Sequence, residues 1–303
     1  MQDGIWDAPK RDRGWWAGDL NVSGPVISDV FADRFLLEKK QTSLVPPDNQ
    51  NVNDIPGYTA LWITTMANLY RRSGNQTALE RNHTVLLKLL ERMDAELDSS
   101  DRFLNKDHRW LFVDWSPGLF AFTDEAREGT ALEFVRAYRE GAWLLNELGA
   151  ADEAKHYQSR AEELSTHLRG QFASANGVFG DRLQLNSMAV ISGVAEECDY
   201  PAIWQQSLST VTQPGPQAQI ISPFFSAYLL QAMARMGHRR EALNRMRGYW
   251  GGMLAEGATS FWEAYDQRWP KTDPHSSLQA DGITGHHATR EAFELCLLKL
   301  RVT

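Results

Sequence analysis

The residues of this sequence best suited to chemistry are carboxylates set among tryptophans and arginines. Between Asp7 and Asp19 lie the acids Asp7, Asp12 and Asp19, the bases Lys10, Arg11 and Arg13, and the adjacent pair Trp15 and Trp16. Pro9, Gly14 and Gly18 oppose regular structure, so this stretch reads as a loop leading toward a helix near 25–40. Acids flanked by arginine and tryptophan suit a site in which one carboxyl stays protonated and others bind hydroxyls. An ion-pair cluster pinning the amino end would use the same composition. Far away in sequence, Glu263 stands between aromatics, with Phe261 and Trp262 before it and Tyr265 after it. A third acid, Asp114, follows Trp110-Leu111-Phe112-Val113 and precedes Trp115. Glycoside hydrolysis asks for this inventory. One acid protonates the leaving oxygen, a second carboxylate is base or nucleophile, and aromatic walls hold the sugar ring.

The elements that must position these groups read as helices. Leu132, Val135, Tyr138, Ala142, Leu145 and Leu148 recur at spacings of three and four, with Glu133, Arg136, Arg139 and Glu140 between them as on a solvated face. Leu86, Leu90, Met93 and Leu97 form a second stripe, and Phe225, Leu229, Met233 and Met236 a third. Helical patterns end at Gly74, Gly149 and Gly237 and resume within a few residues, which marks three αα-hairpins. Longer loops at 42–55, 99–126, 172–185, 212–223 and 264–286 interrupt the rhythm, and loops of that length carry function. A small β-hairpin is expected within Phe103 to Trp115. Helical hairpins joined by long loops predict an all-α fold, an α/α toroid over 1–303 as a single domain with its loops gathered round a pocket. About ten or eleven helices are readable where a closed six-hairpin toroid has twelve, so the first helix is expected to be missing.

Composition removes several classes of function. The net charge of −8 disfavours nucleic acid and anionic membranes as partners, and no apolar run is long enough to span a bilayer. The residues after Met1 lack the basic and apolar regions of a signal peptide, which points to the cytoplasm. Cys198 and Cys296 are too few for a disulfide framework or structural zinc, and the adjacent His286 and His287 point to different faces. No metal and no cofactor are therefore expected. Gly-rich phosphate loops and a Gly-x-Ser-x-Gly elbow are absent.

Taken together, these segments resemble the six-hairpin catalytic domain of the bacterial α-L-rhamnosidases, glycoside hydrolase family 78. Asp7 to Asp19 is similar to that family's Asp-x-Pro-(Lys/Gln)-Arg-(Asp/Glu)-(Arg/Lys)-x-x-Trp-x-Gly-Asp motif. Asn53 to Trp62, Phe112-Val113-Asp114-Trp115, and Tyr249 to Leu254 followed by Gly257 to Glu263 resemble further landmarks in the same order. The resemblance implies an (α/α)6 barrel and inverting removal of terminal α-L-rhamnose without a redox cofactor. By matched position, Asp12 would be the general acid and Glu263 the general base. Asp7, Asp19 and Asp114 would bind the sugar hydroxyls or support the acid, Arg11 would bind the substrate, and Trp15, Trp16, Trp115 and Trp262 would line the pocket. Rival readings are an unsaturated glucuronyl hydrolase on the same toroid and a catalytically impaired sugar-binding fragment. The acid position is commonly Glu in the family, and Ser277 to Gly282 stands where a His-containing segment is usual.

Overall fold

Several helices begin where the sequence supplies a cap or a proline. Asp33, Asn75, Thr123 and Ser222 accept backbone N–H bonds from Leu36, Ala78, Ala126 and Phe225, and Pro56 and Pro223 occupy first-turn positions that need no donor. The computed structural model describes residues 14–101, 103–104, 110–212, 221–258, 261–262 and 265–266, with the backbone of 294–295. Its helices are α1 (Ala17–Val26), α2 (Arg34–Ser43), α3 (Pro56–Ser73), α4 (Gln76–Arg81), α5 (His83–Asp94) and α6 (Asp124–Glu147). They continue with α7 (Ala151–Phe172), α8 (Leu183–Ser192), α9 (Tyr200–Gln206), α10 (Pro223–Arg235) and α11 (Arg239–Ala255). Two antiparallel pairs complete the list: β1 (Leu111–Phe112) with β2 (Phe120–Ala121), and β3 (Phe261–Trp262) with β4 (Glu294–Leu295).

The segment 25–40 is two helices rather than one. Pro25 lacks the N–H that would continue α1, and the chain widens into a π-helical turn, Ile27–Phe31, before reversing at Ala32 with φ 54°. The expected β-hairpin also lies further along than its sequence suggests, at 111–121, because Leu111 pairs with Ala121 and Phe112 with Phe120. The helical hairpins stand as expected. Gly74 ends α3 at φ 59°, a left-handed conformation that any side chain would strain, and Gly149 and Gly237 share that hand.

The fold is an all-α toroid. α1 packs on α3, α3 on α6, α6 on α8 and α8 on α10. α10 returns to α1 where Tyr228 Oη donates to Asn21 Oδ1 at 2.8 Å. Outside this ring α2 and α5 cover α3, α7 covers α6, and α11 covers α10. The inner helices run in one direction. At their carboxyl ends Tyr70 bonds Glu147 (3.1 Å), and Arg235 donates to the Ile191 carbonyl (3.1 Å). At their amino ends Gly57 of α3, Gln184 of α8 and Ser222 before α10 converge on the β1–β2 turn. No helix among the described residues is long and apolar enough to cross a membrane.

Leu132, Val135, Tyr138, Ala142 and Leu145 are buried, as are Leu86, Leu90 and Met93 and, on α10, Phe225, Leu229 and Met233, so the stripes are core. The solvated face of α6 is not found at Glu133, which is only 3% exposed. α6 is covered by α3, α7 and α8, leaving little of its circumference to water. Its charged residues there must find partners inside: Arg139 donates to the Ser192 carbonyl and Glu140 pairs with Arg71.

Candidate active site

The first wall of the candidate site is the end of the opening segment. Asn53 lies in a short 3₁₀ turn, Val52–Asp54, with left-handed φ 52° and ψ 21°. In that conformation its amide grips the main chain on both sides of Trp16: Nδ2 donates to the Trp15 carbonyl (2.8 Å) and Oδ1 accepts from the Ala17 N–H (3.0 Å). Behind it Asn51, Thr59 and Glu96 form a buried chain of hydrogen bonds, with Asn51 Nδ2 to Glu96 at 2.7 Å and Thr59 Oγ1 to Asn51 at 2.9 Å. Trp16 meets Tyr58 edge to face at 6.4 Å. Trp15 lies against Lys40, whose Nζ is 3.4 Å from the ring centroid. Asp19 follows in the first turn of α1, where the helix dipole favours its carboxylate.

The β1–β2 hairpin forms the second wall. Asp114 is wholly buried, and its carboxyl accepts from Ser116 Oγ (2.6 Å), Gln184 Nε2 (2.7 Å), the Trp115 N–H (2.9 Å) and the Ser222 N–H (3.4 Å). Burial pushes its pKa up, and these hydrogen bonds offset part of that rise. One side chain thereby ties the hairpin turn to the amino ends of α8 and α10. With four donors from the fold on its carboxyl, Asp114 anchors the wall. Trp115 packs on Phe112 at 4.9 Å, Trp110 stacks on Phe112 at 5.4 Å, and Phe112 reaches Phe224 at 5.8 Å. Phe112 also meets Tyr58 at 5.9 Å, which joins the second wall to the first.

The third wall rests on a small separate core of Tyr249, Met253 and Tyr265, with Trp250 and Trp262 packed against it. Tyr249 Oη lies 2.9 Å from the Ile221 carbonyl and 3.0 Å from that of Tyr265. Ile221 immediately precedes Ser222, so this hydroxyl links the Trp262 segment to the Asp114 network. Trp262 sits on β3, half-buried, and contacts Tyr265 at 5.5 Å. Asp7, Arg11, Asp12 and Glu263 lie outside the described residues. The sequence-derived candidates that are described, namely Trp15, Trp16, Asp19, Asp114, Trp115 and Trp262, belong to these three connected walls.

Several residues that sequence reasoning missed take part. Asn53 is one, and its place in an Asn-Asp pair ahead of a proline was the available signal. Gln184 and Ser222 carry no signal in sequence, since their role exists only once α8 and α10 are adjacent. Glu133 breaks the apolar pattern of α6, and its Oε2 has no hydrogen-bond partner. A β-carbon at Gly57 would come within 2.6 Å of that oxygen and 3.3 Å of the Phe112 carbonyl, so only glycine lets α3 approach so closely. Burial holds the Glu133 carboxyl well above its ordinary pKa, offset in part by Arg136. Glu128, in the second turn of α6, is pushed up to about 7 by burial and by Glu125. Among the described residues no group of three or more His, Cys, Asp or Glu side chains could hold a metal ion.

Residues 1–281 match the model of the bacterial α-L-rhamnosidase six-hairpin glycosidase domain. In structure the chain is similar to a rhamnosidase from Klebsiella oxytoca with rhamnose bound, with a TM-score of 0.77 and 18% identity over 95% of this chain and 58% of that one. It is also similar to a family 78 rhamnosidase of Bacillus sp. GL1, with a TM-score of 0.70 and 22% identity over 84% of this chain and 28% of that one. A third similar structure is the α-L-rhamnosidase of Streptomyces avermitilis complexed with L-rhamnose, at TM-score 0.60 and 15% identity over 86% of this chain and 26% of that one. The chain thus spans between about a quarter and three fifths of the length of these structures. At such identities the likeness is one of fold. No curated protein sequence matches significantly.

Proposed function

Because the chain belongs to the bacterial α-L-rhamnosidase six-hairpin glycosidase domain family, we propose that it removes terminal α-L-rhamnose from glycosides by a single displacement. Asp12 protonates the glycosidic oxygen as the bond to the anomeric carbon breaks. Glu263 takes a proton from the water that attacks the opposite face, so the product is released with inverted configuration. Such a route needs the two carboxyls roughly 6.5–9.5 Å apart, with room for the water between them. Asp7, Arg11 and Asp19 bind hydroxyls of the sugar or support the acid, and Trp15, Trp16, Trp115 and Trp262 supply apolar faces for the ring.

The observation that carries this reading is the convergence of the three walls at the amino ends of the inner helices. Trp15, Trp16 and Asp19 flank the Asp12 segment, and Trp262 immediately precedes Glu263. The Asn53 clamp, the Asp114 network and the Tyr249 bridge connect the described residues Trp15, Trp16 and Trp262, although nearly the whole chain separates them. The test is release of p-nitrophenol from p-nitrophenyl α-L-rhamnopyranoside, with Glu263→Gln as control. The expected result is turnover in the wild type, loss of at least about a hundredfold in the variant, and β-L-rhamnose as the first anomer seen by NMR. Unchanged turnover in Glu263→Gln removes that residue from the mechanism, and α-L-rhamnose as first product replaces inversion with retention. Binding of rhamnose with no turnover of any glycoside favours the sugar-binding reading instead.

A further inference from the structure

We propose that Lys40 is a positioning residue of the sugar pocket, its ammonium seated on the indole of Trp15 so that it fixes the tryptophan and places a positive charge within the field of Asp19. The inference rests on the glycosidase reading for its consequence, and on geometry alone for the contact. Lys40 occupies the last turn of α2, yet it is only 2% exposed and its Nζ has no hydrogen-bond partner. The next residue back, Lys39, extends into solvent from the same turn. A four-carbon stem reaches water easily, so burying the ammonium is a choice of place and not of reach. An ammonium withdrawn from water needs compensation. Here the compensation comes from the face of Trp15 at 3.4 Å and from the field of Asp19. The turn itself cannot drift away, because Gln41 exchanges two bonds with Trp62: Nε2 to the Trp62 carbonyl (2.7 Å) and Trp62 Nε1 to the Gln41 carbonyl (2.9 Å).

The surroundings leave Asp19 as the carboxylate that acts on Lys40 among the described residues. Elements α1, α3 and the π-helical turn pack on α2. Asp29 of the π-helical turn is engaged with Arg72 at 2.9 Å. Arg71 and Arg72, the charged residues of α3, lie at its far carboxyl end. Within α2 itself, Glu38 binds Asn75 at 2.6 Å and Arg81 at 3.7 Å. Burial lowers the Lys40 pKa to about 7 against the opposing pull of Asp19. The cation behind Trp15 is therefore present below neutrality and lost above it.

Two measurements test this, one without sugar. Tryptophan fluorescence of the wild type minus that of Trp15→Phe should show a transition near pH 7, and Lys40→Met should lack it. In kinetics with p-nitrophenyl α-L-rhamnopyranoside at about pH 6, Lys40→Met should raise KM about tenfold with kcat little changed. Lys40→Arg, charged at every pH used, should recover most of that loss and hold a low KM at about pH 8.5, where the wild type drifts toward the Met variant. Lys40→Met should melt no lower than the wild type, since it removes a buried ammonium and keeps the stem. Wild-type KM in Lys40→Met, or a fluorescence transition that survives in it, overturns the proposal. If Lys40→Met does not fold, absence of a transition in the wild-type difference signal overturns it equally. If the wild type turns over no rhamnoside, the functional reading fails, and the fluorescence transition still decides the role of Lys40.

Discussion

Glu128 gives the fold a stability that falls through the neutral range, and Glu128→Gln should remove the fall. The carboxyl is 8% exposed, its Oε1 has no hydrogen-bond partner, and Glu125, one turn earlier, pairs with Arg182 at 2.8 Å. Burial first, and this neighbour second, raise its pKa from the ordinary 4.5 to about 7. A raised acid favours the folded state fully below 4.5 and loses that contribution as pH climbs through about 7. The rise of about 2.5, at about 1.36 kcal/mol for each pKa unit, sets a ceiling near 3 kcal/mol. Residual solvent access near the helix surface screens part of it, leaving about 2 kcal/mol. The assay is urea unfolding of wild type and Glu128→Gln at about pH 5 and pH 8, comparing midpoints at constant slope. The Gln variant should gain about 2 kcal/mol on the wild type between the two conditions. A difference of the same size at both pH values would refute the assignment of the raised pKa to this residue.

Two further substitutions probe the walls. Asn53→Ala removes both grips on the chain beside Trp16 and places alanine at φ 52°; it should cost about 2–3 kcal/mol in a thermal melt and reduce kcat/KM on the rhamnoside about tenfold. Asp114→Ala leaves Ser116, Gln184 and the Ser222 N–H without their buried acceptor; a loss of about 3–5 kcal/mol is expected. An Asp114→Ala protein that melts with the wild type would show that the network holds nothing.

The parts of this protein legible in its sequence are those fixed by local rules. The stripe from Leu132 to Leu145 marked a buried face, and Gly74, Gly149 and Gly237 marked helix ends, because periodicity and left-handed caps depend on near neighbours. The motif residues Trp15, Trp16, Asp114 and Trp262 stood out because aromatic and acidic residues cluster rarely. What escaped depends on partners far along the chain. Glu133 read as solvated because nothing local says that α3, α7 and α8 will surround α6. The bonds from Gln184 and Ser222 to Asp114 were not legible because those residues are distant in sequence. The hairpin was displaced because strand register needs both strands, and 120–121 carried no signal of its own.

The hydrogen bond from Tyr228 to Asn21 spans 207 residues and joins α10 to α1. On the ribosome, where about 5–20 residues are added each second, that separation corresponds to roughly 10–40 s of synthesis. Through this interval Asn21 can hold Thr64, Thr65 and the Leu61 carbonyl of α3, which emerge soon after it. Its Oδ1 must wait for the tyrosine. The nascent toroid is therefore an open arc, and Asn21 of α1 goes without its last partner until α10 arrives to close the ring.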